Sequence, residues 1–290
     1  MLDQSPVFRH IAVVAHPLMQ DAVQEAQAVA GYLQEHGIRT TCGLLNDDHL
    51  RNDISAGKFD LVIVLGGDGT MLRAGHACAA HHTPILGINM GRFGFLIEVQ
   101  QSEWRTFLPR LLQGHYWLEK RMMLLAEHWH GDQKRGQWDV LNEVVVTRGH
   151  LIRPVQLTAY LDGQLLTTYV ADALLAATPT GSTAYALAAG GPILPPELRN
   201  ILLVPVAPHL SVDRAIVLAE GAIVSIVVHT DHEATLSVDG QPPAKLDNGD
   251  RVNVRVGEHF TQFVRFQDPG YFYRNLTQYM NHNPTTGTSS

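Results

Sequence analysis

The stretch at residues 61–70 constrains this chain more than any other. Its first five residues, Leu-Val-Ile-Val-Leu, form a continuous apolar run, which is typical of a parallel strand buried on both faces. The next five, Gly-Gly-Asp-Gly-Thr, allow a close approach between backbone and ligand, because glycine has no Cβ. We predict a strand that presents Asp68 at its carboxyl end. We also predict that Thr70 caps the following helix, whose unpaired amides face an anion.

These glycines match neither of the common nucleotide-binding signatures. No lysine follows them, as a Walker loop requires, and Leu72 occupies the position of the last glycine of a dinucleotide fingerprint. Taken alone, the motif also fits an ordinary strand-to-helix turn of an α/β protein.

Strands alternate with helices around this stretch. A helix is predicted at residues 20–36, ended by Gly37, and Ser102 is the predicted cap of a short helix that ends near Gly114. Arg92 and Phe95 follow a strand and either face a ligand or anchor a loop. Predicted strands lie at residues 10–15, 39–43, 60–65 and 84–89. This order predicts a parallel sheet with its ligand at the carboxyl ends of the strands.

The pattern changes after residue 114. Asp162-Gly163 is a strong hairpin signal. Predicted strands lie at residues 117–129, 140–147, 155–161, 165–170, 201–206, 223–229, 234–238 and 252–256. The predicted fold class is therefore an α/β nucleotide-binding domain with a parallel sheet and flanking helices at residues 1–101, then a β-rich, sandwich-like domain at residues 102–270. A tail follows at residues 271–290, and its end is predicted to be disordered.

Composition excludes several classes of function. A net charge of −7 argues against a general nucleic-acid or anionic-membrane surface. The sequence shows no signal peptide and no membrane span, and its two cysteines favour a reducing compartment, the cytoplasm. We predict no metal site in the protein, because the pair His128-x-His130 has no third ligand at a usual spacing.

The second domain has polar groups of its own. Asn142 and Glu143 interrupt an apolar run, and adjacent side chains on a strand point to opposite faces, so one of them is expected to face a ligand. The run Thr-Pro-Thr-Gly-Ser-Thr-Ala-Tyr at residues 178–185 predicts a second helix N-terminus with free donors at Thr183, where Tyr185 stacks on a base. Alternatively, these are a polar strand end and an over-capped helix. Two such turns predict one ligand that bridges a cleft.

The chain resembles the bacterial NAD kinases. Four blocks at residues 66–70, 142–143, 178–192 and 237–241 carry the resemblance, in the family's order and spacing, from about His10 to Phe266. The first block alone also occurs in diacylglycerol and sphingoid-base kinases and in phosphofructokinases. A lipid kinase is therefore the alternative, and a non-catalytic NAD sensor is a third possibility.

The resemblance implies transfer of the γ-phosphoryl of ATP to the 2′-hydroxyl of the adenosine ribose of NAD. The sequence has no dense cluster of lysines and arginines to surround the phosphates, so we expect helix-terminus amides and a Mg²⁺ ion held largely by the nucleotide to neutralise their charge. Asp68 would be the proton acceptor. The implied NAD-binding residues are Asp68, Gly69, Arg73, Asn142, Glu143, Arg153, Asp172, Thr183, Ala184, Tyr185, Ala186, Leu187, Ala188, Ala207 and Gln241. The resemblance also implies a homodimer or homotetramer, in which a neighbouring subunit can supply some of these residues. The chain departs from the family pattern at Ala188, where serine is frequent, and at Phe93, where leucine is common.

Overall fold

The structure is a computed structural model that describes residues 8–91, 94–209 and 213–281. The predicted role of Arg92, the departure at Phe93 and the end of the predicted tail after residue 281 lie outside the described residues. Within them, no helix is long and apolar enough to cross a membrane.

The helices are α1 (Gln20–Glu35), α2 (Asp48–Ser55), α3 (Asp68–Ala79), α4 (Trp104–Leu112), α5 (Tyr185–Ala188) and α6 (Tyr271–Asn281). The strands are β1 (His10–Ala15), β2 (Arg39–Leu44), β3 (Leu61–Gly66), β4 (Ile85–Asn89), β5 (Val99–Gln100), β6 (Trp117–His130), β7 (Gln133–Val140), β8 (Glu143–Arg148), β9 (Val155–Leu161), β10 (Gln164–Ala171), β11 (Ala173–Ala177), β12 (Ile201–Val206), β13 (Ile216–Leu218), β14 (Val224–His229), β15 (Ala234–Val238), β16 (Ala244–Leu246) and β17 (Arg251–Arg265).

The chain divides into two compact units. Unit 1 comprises residues 1–120 and 261–290, and unit 2 comprises residues 121–260. This division differs from the predicted bounds at residues 101 and 270, because β17 brings Phe263 back to pair with Ile85 of β4 in unit 1. Strands β6 and β17 therefore each continue from one unit into the other.

Unit 1 is built on a parallel sheet. Strands β2, β1, β3 and β4 lie side by side in that order, and all of their pairings are parallel. Every residue of β3 is buried, which explains its uninterrupted apolar sequence. Helix α1 buries Ala22, Ala26, Val29, Ala30 and Leu33 on one face, and Gly37 follows it with φ +78°. The predicted α/β class of this part is confirmed.

Unit 2 is an antiparallel sandwich. One sheet has the order β10-β9-β14-β17, with β6 paired to β17 and to β7, and the other has the order β13-β12-β11-β8-β15-β16. A shared core of buried residues, including Leu124, Val146, Leu157 and Leu174, comes from strands of both sheets. The hairpin between β9 and β10 turns at Asp162 (φ +50°) and Gly163 (φ +78°), as predicted. The predicted β-rich second part is likewise confirmed.

Several local predictions were wrong. Helix α4 begins at Trp104 after Glu103, and Ser102 does not cap it. Residues 140–147 are not one strand, because β7 ends at Val140 and β8 begins at Glu143. The last strand runs to Arg265, well beyond residue 256, because its end joins the sheet of unit 1.

Candidate functional site

Asp68 is the first residue of α3, directly after β3. The N-cap is Gly67, whose extended backbone (φ −107°, ψ −173°) makes no side-chain cap bond, so the prediction that Thr70 caps this helix was wrong. The Thr70 amide instead donates to the Gly67 carbonyl, as in a first helical turn, and the Thr70 side chain lies beneath Gly66, where a Cβ would overlap it. The prediction that Asp68 stands at the carboxyl edge of the sheet was correct.

Two backbone amides hold the Asp68 carboxylate. Oδ2 accepts from the amide of Phe95 at 2.7 Å, and Oδ1 accepts from the amide of Leu96 at 3.2 Å. A Cβ at Gly94 would overlap the carboxylate, so this approach requires glycine. The carboxylate is therefore fixed in place by the loop after β4. Gly69 and Arg73, four residues apart on α3, are both exposed on the same side of the helix.

A buried ion pair supports that loop from behind. Arg265 is 2% exposed, and its guanidinium donates to the carbonyl of Leu96 at 2.9 Å and to Glu119 Oε2 at 2.8 Å. The hydroxyl of Tyr271 also donates to Glu119. Sequence reasoning missed Gly94, Arg265 and Glu119 as supports of Asp68, because nothing in the local pattern links residues so far apart.

Unit 1 also has a cavity of about 510 Å³ at the carboxyl edge of its sheet. It is lined by Glu25, Asn89, Met90, Gly91, Gln100, Gln101, Ser102 and Arg105. Its position follows the rule that ligands of open parallel sheets bind beyond the carboxyl ends of the strands.

In unit 2, Asp239 organises the segment that contains Asn142 and Glu143. Its carboxylate accepts the backbone amides of Leu141, Asn142 and Glu143 at 2.7, 2.8 and 2.8 Å. Asp239 (φ +48°) and Gly240 (φ +68°) form the tight turn that ends with the Gln241 amide donating to the Val238 carbonyl. The exposed Gln241 is thereby placed near Asn142 and Glu143. The Asp-Gly pair was the available sequence signal for Asp239.

Glu143 is a buried carboxyl group. It is 8% exposed, and its Oε2 has no hydrogen-bond partner within the described part of the chain. Burial, reinforced by the negative charge of Asp239 and opposed by a hydrogen bond from the backbone of Tyr185, raises the pKa of Glu143 to about 8. Glu143 is therefore protonated at neutral pH. Asn142 is half-buried at the bend before β8.

The turn at residues 178–185 packs against the same segment. The Thr178 hydroxyl donates to the Leu141 carbonyl at 2.5 Å, and the Thr178 amide donates to the Asn142 carbonyl at 2.8 Å. A Cβ at Gly181 would overlap the Asn142 backbone. The structure thus brings Asn142, Glu143 and this turn together.

The predicted helix start at Thr183 was wrong. Residues Gly181–Thr183 form one 3₁₀ turn, and the four-residue α5 follows after Ala184. The Thr183 hydroxyl donates to the Thr180 carbonyl at 3.0 Å. Tyr185 is 44% exposed, as stacking on a base requires, whereas the side chain of Ala186 is buried in the core and can offer a ligand only its backbone. Leu187 is half-buried and Ala188 exposed.

The remaining predicted residues form a separate group. Asp172 pairs with Arg148 at 2.9 Å, and the Asp172 amide donates to the Val206 carbonyl, next to the exposed Ala207 (φ +46°). Arg153 is exposed in the loop after β8. Asp172 lies by the far end of β8 from Glu143, and at ~3.3 Å per residue this strand spans roughly 17 Å. Sequence reasoning missed Arg148, the ion-pair partner of Asp172.

These features define a two-part α/β and β-sandwich protein, with a carboxylate fixed at the edge of its parallel sheet and a polar turn cluster in its sandwich. The N-terminal domain of ATP-NAD kinases matches residues 47–116, and the C-terminal domain of these kinases matches residues 141–266. The chain belongs to the ATP-NAD kinase family.

Individual relatives match nearly the whole chain. An NAD kinase of Chloroflexus aurantiacus is 38% identical over 270 residues, which are 93% of this chain and 98% of the relative. An NAD kinase of Dehalococcoides mccartyi is 35% identical over 274 residues, 93% of this chain and 95% of the relative.

Solved structures share the fold. A yeast NADH kinase in complex with NADH superposes with a TM-score of 0.85 at 22% identity, covering 98% of this chain and 90% of the other. An NAD kinase from Archaeoglobus fulgidus in complex with ATP gives a TM-score of 0.74 at 23% identity, covering 93% of this chain and 98% of the other.

Proposed function

We propose that this protein is an NAD kinase that transfers the γ-phosphoryl of ATP to the 2′-hydroxyl of the adenosine ribose of NAD, giving NADP and ADP. Membership in the family supports the reaction, since relatives named NAD kinase align with 93% of the chain. The structural observation that carries the proposal is Asp68, held by the amides of Phe95 and Leu96 at the end of a buried strand.

Asp68 acts as the general base. A ribose hydroxyl is a poor nucleophile until a base accepts its proton, and phosphoryl transfer otherwise depends on positioning and on neutralising charge. A carboxylate offers about four acceptor positions, so it can accept a hydroxyl proton alongside two amides. Because the loop fixes the carboxylate, little reorganisation is required when the hydroxyl arrives.

Asn142 and Glu143 bind the ribose hydroxyls of NAD. A protonated Glu143 donates one hydrogen bond through its carboxyl proton and still accepts another. Its partnerless Oε2 supports this role, because a buried polar atom without a partner gains most from a ligand that supplies one. Tyr185 and the turn before it complete the polar cluster, and these groups favour a nucleotide over a lipid as the acceptor.

A divalent cation, Mg²⁺, accompanies ATP and neutralises the charge of the transferring phosphoryl. In unit 1, the Asp68 carboxylate stands at the end of β3 with both of its oxygens engaged by amides. This donor set fits an ion held mainly by the phosphates of the nucleotide, which is how Mg²⁺ is commonly bound. The two cysteines, both free, are compatible with the reducing cytoplasm.

The decisive experiment is Asp68→Asn. The variant keeps the size of the side chain but cannot take the hydroxyl proton, so kcat for NADP formation from ATP and NAD should fall roughly 10²–10⁴-fold. The dissociation constant for NAD should stay near wild type, and the free energy of unfolding should fall by only about 1–3 kcal/mol, because asparagine can accept just one of the two amides of Phe95 and Leu96. Asp48→Asn is the matched control, because Asp48 is also the first residue of a helix. Near-normal kcat in Asp68→Asn would overturn the mechanism, and phosphorylation of diacylglycerol in place of NAD would overturn the substrate.

The active assembly is a homodimer or homotetramer. The cluster at Asp172, Arg153 and Ala207 lies about one strand length from Glu143, roughly 17 Å, so it is suited to serve the site of a second copy. Leu165 and Val170 on the edge strand β10 are 64% and 39% exposed, and open edges tend to be covered.

Two measurements test assembly. The molecular mass measured by light scattering at micromolar concentration should exceed the 32.0 kDa of one chain. Mixing inactive Glu143→Ala with inactive Asp172→Ala should restore part of the activity if one site uses both subunits. A single-chain mass contradicts the oligomer, and an oligomer that shows no restoration contradicts the shared site.

A further inference from the structure

A cluster of two histidines and two aspartates in unit 2 takes no part in the proposed reaction. Asp250 is fully buried, and its two carboxylate oxygens lie 2.7 Å from His128 Nε2 and 2.6 Å from His130 Nδ1. Asp247 lies beside them in the segment between β16 and β17. The ligand atoms of His130, Asp247 and Asp250 all lie within 4.8 Å of one another.

The fold assembles this cluster from segments that are distant in sequence. Strand β6 ends at His130, and the segment after β16 supplies Asp247 and Asp250. Asp247 and Asp250 thus follow the histidine pair at 128 and 130 by more than one hundred residues. The expectation of no metal site rested on the absence of a nearby third ligand in sequence, and the structure provides one.

We propose that His130, Asp247 and Asp250 bind a divalent transition-metal ion of the Zn²⁺ type. One imidazole and two carboxylates form a nitrogen and oxygen donor set that suits Zn²⁺, Co²⁺ or Mn²⁺, and the two negative charges balance the ion. Ligand bonds of about 2.0–2.2 Å place neighbouring ligand atoms of a tetrahedral site roughly 3.3–3.6 Å apart. The distance from His130 Nδ1 to Asp250 Oδ1 is 2.6 Å, and no two ligand atoms of His130, Asp247 and Asp250 are more than 4.8 Å apart. Small side-chain adjustments therefore suffice to bring these atoms around one ion.

The surroundings of Asp250 favour a preformed site. His128 is 4% exposed and holds one carboxylate oxygen, and the Asp247 amide donates to that oxygen at 2.9 Å. Such contacts from behind fix the orientation of a ligating carboxylate. The side chains of His130 and Asp247 are 47% and 44% exposed, which gives an ion a path from solvent.

Two basic side chains form ion pairs with Asp247 and would compete with a metal ion for its carboxylate. Lys245 Nζ lies 3.3 Å and Arg135 Nη1 lies 3.7 Å from its carboxylate, with side-chain exposures of 72% and 42%. Exposed pairs of this kind are weak, so a metal ion can displace them. The ion binds the lone pair of the neutral His130 at Nδ1, with the ring proton on Nε2, and so replaces the direct contact between Nδ1 and Asp250 Oδ1.

The test uses Co²⁺ and Zn²⁺ as probes on the full chain after treatment with a chelator. Wild-type protein should bind one equivalent per chain at this site, with the visible absorption of Co²⁺ held by nitrogen and oxygen ligands and a higher melting temperature. His130→Ala and Asp247→Asn should each lower affinity at least tenfold and lose that absorption. Both residues are partly exposed, so these variants should fold, and their NAD kinase activity with Mg²⁺ should stay unchanged.

His49→Ala provides the matched control, because His49 is an exposed histidine in helix α2, outside the cluster. It should bind Co²⁺ as wild type does. Equal Co²⁺ affinity in wild type and His130→Ala would overturn the proposal, and so would a wild-type protein that takes up no Co²⁺ or Zn²⁺ at all.

Discussion

The buried Glu143 predicts a specific dependence of stability on pH. Its pKa is raised from the ordinary 4.5 to about 8 by burial and by the charge of Asp239. Glu143→Gln replaces the carboxyl group with a neutral group of the same shape. The comparison between wild type and variant isolates the cost of ionising this one side chain.

The sign follows from proton binding. Between pH 4.5 and about 8 the folded protein retains a proton on Glu143 that the unfolded chain has lost, so wild-type stability falls as pH rises through this window. The contribution of Glu143 to the free energy of unfolding is fully present below pH 4.5 and is lost as the pH rises through its pKa of about 8 in the folded protein. A shift of three to four pKa units corresponds to about 5 kcal/mol. Between pH 6 and pH 8 the loss should be about 2 kcal/mol.

The assay is urea unfolding of both proteins at several values between pH 6 and pH 8. Wild type should lose about 2 kcal/mol relative to Glu143→Gln across this range, and Glu197→Gln, at an exposed position, should follow wild type. Parallel pH profiles for wild type and Glu143→Gln would refute the reasoning, because they would mean that Glu143 titrates alike in the folded and unfolded chain.

Three further predictions concern the supports of the site. Gly94→Ala places a methyl group against the Asp68 carboxylate and should lower kcat at least about tenfold. It should also lower the melting temperature, because displacing the carboxylate breaks its bonds to the amides of Phe95 and Leu96, whereas Gly31→Ala, with open space around it, should do neither; equal kcat in both would contradict the fixed carboxylate. Asn142→Ala should raise KM for NAD several-fold in steady-state kinetics, since an unpaired ligand group costs about 1–3 kcal/mol; an unchanged KM removes Asn142 from the site. Glu119→Gln removes the carboxylate that is hydrogen-bonded to the buried Arg265, on which the charge of Glu98 still acts, and should lower the free energy of unfolding in urea by about 3 kcal/mol. A loss below ~0.5 kcal/mol would mean that the pair does not stabilise the fold.

Much of the fold could be predicted because it depends on local pattern. The apolar run of β3 has the composition of a strand covered on both faces, and the Asp162-Gly163 turn has the backbone angles that this pair favours. The start of α3 was misplaced because Gly67 adopts extended angles that let the helix begin two residues before Thr70. Glycine permits several conformations, and the sequence does not say which one is used.

The site was predictable only in part, for a related reason. Asp68, Asn142 and Glu143 could be recognised from the sequence because they are polar residues that end or interrupt apolar runs. Asp239, Arg265 and the aspartates beside His130 act through contacts across about one hundred residues or more. Such pairings are set by the sheet topology, which no local window contains.

The return of β17 to unit 1 has a consequence for how the protein is made. Arg265, which holds the carbonyl of Leu96 behind Asp68, leaves the ribosome 197 residues after Asp68 itself. At about 5–20 residues per second, this interval is roughly 10–40 s. For that time the nascent chain carries Asp68 without the guanidinium that supports the loop around it. Activity should therefore appear only after residue 265 has emerged, and a nascent chain that stops before this residue should not form NADP.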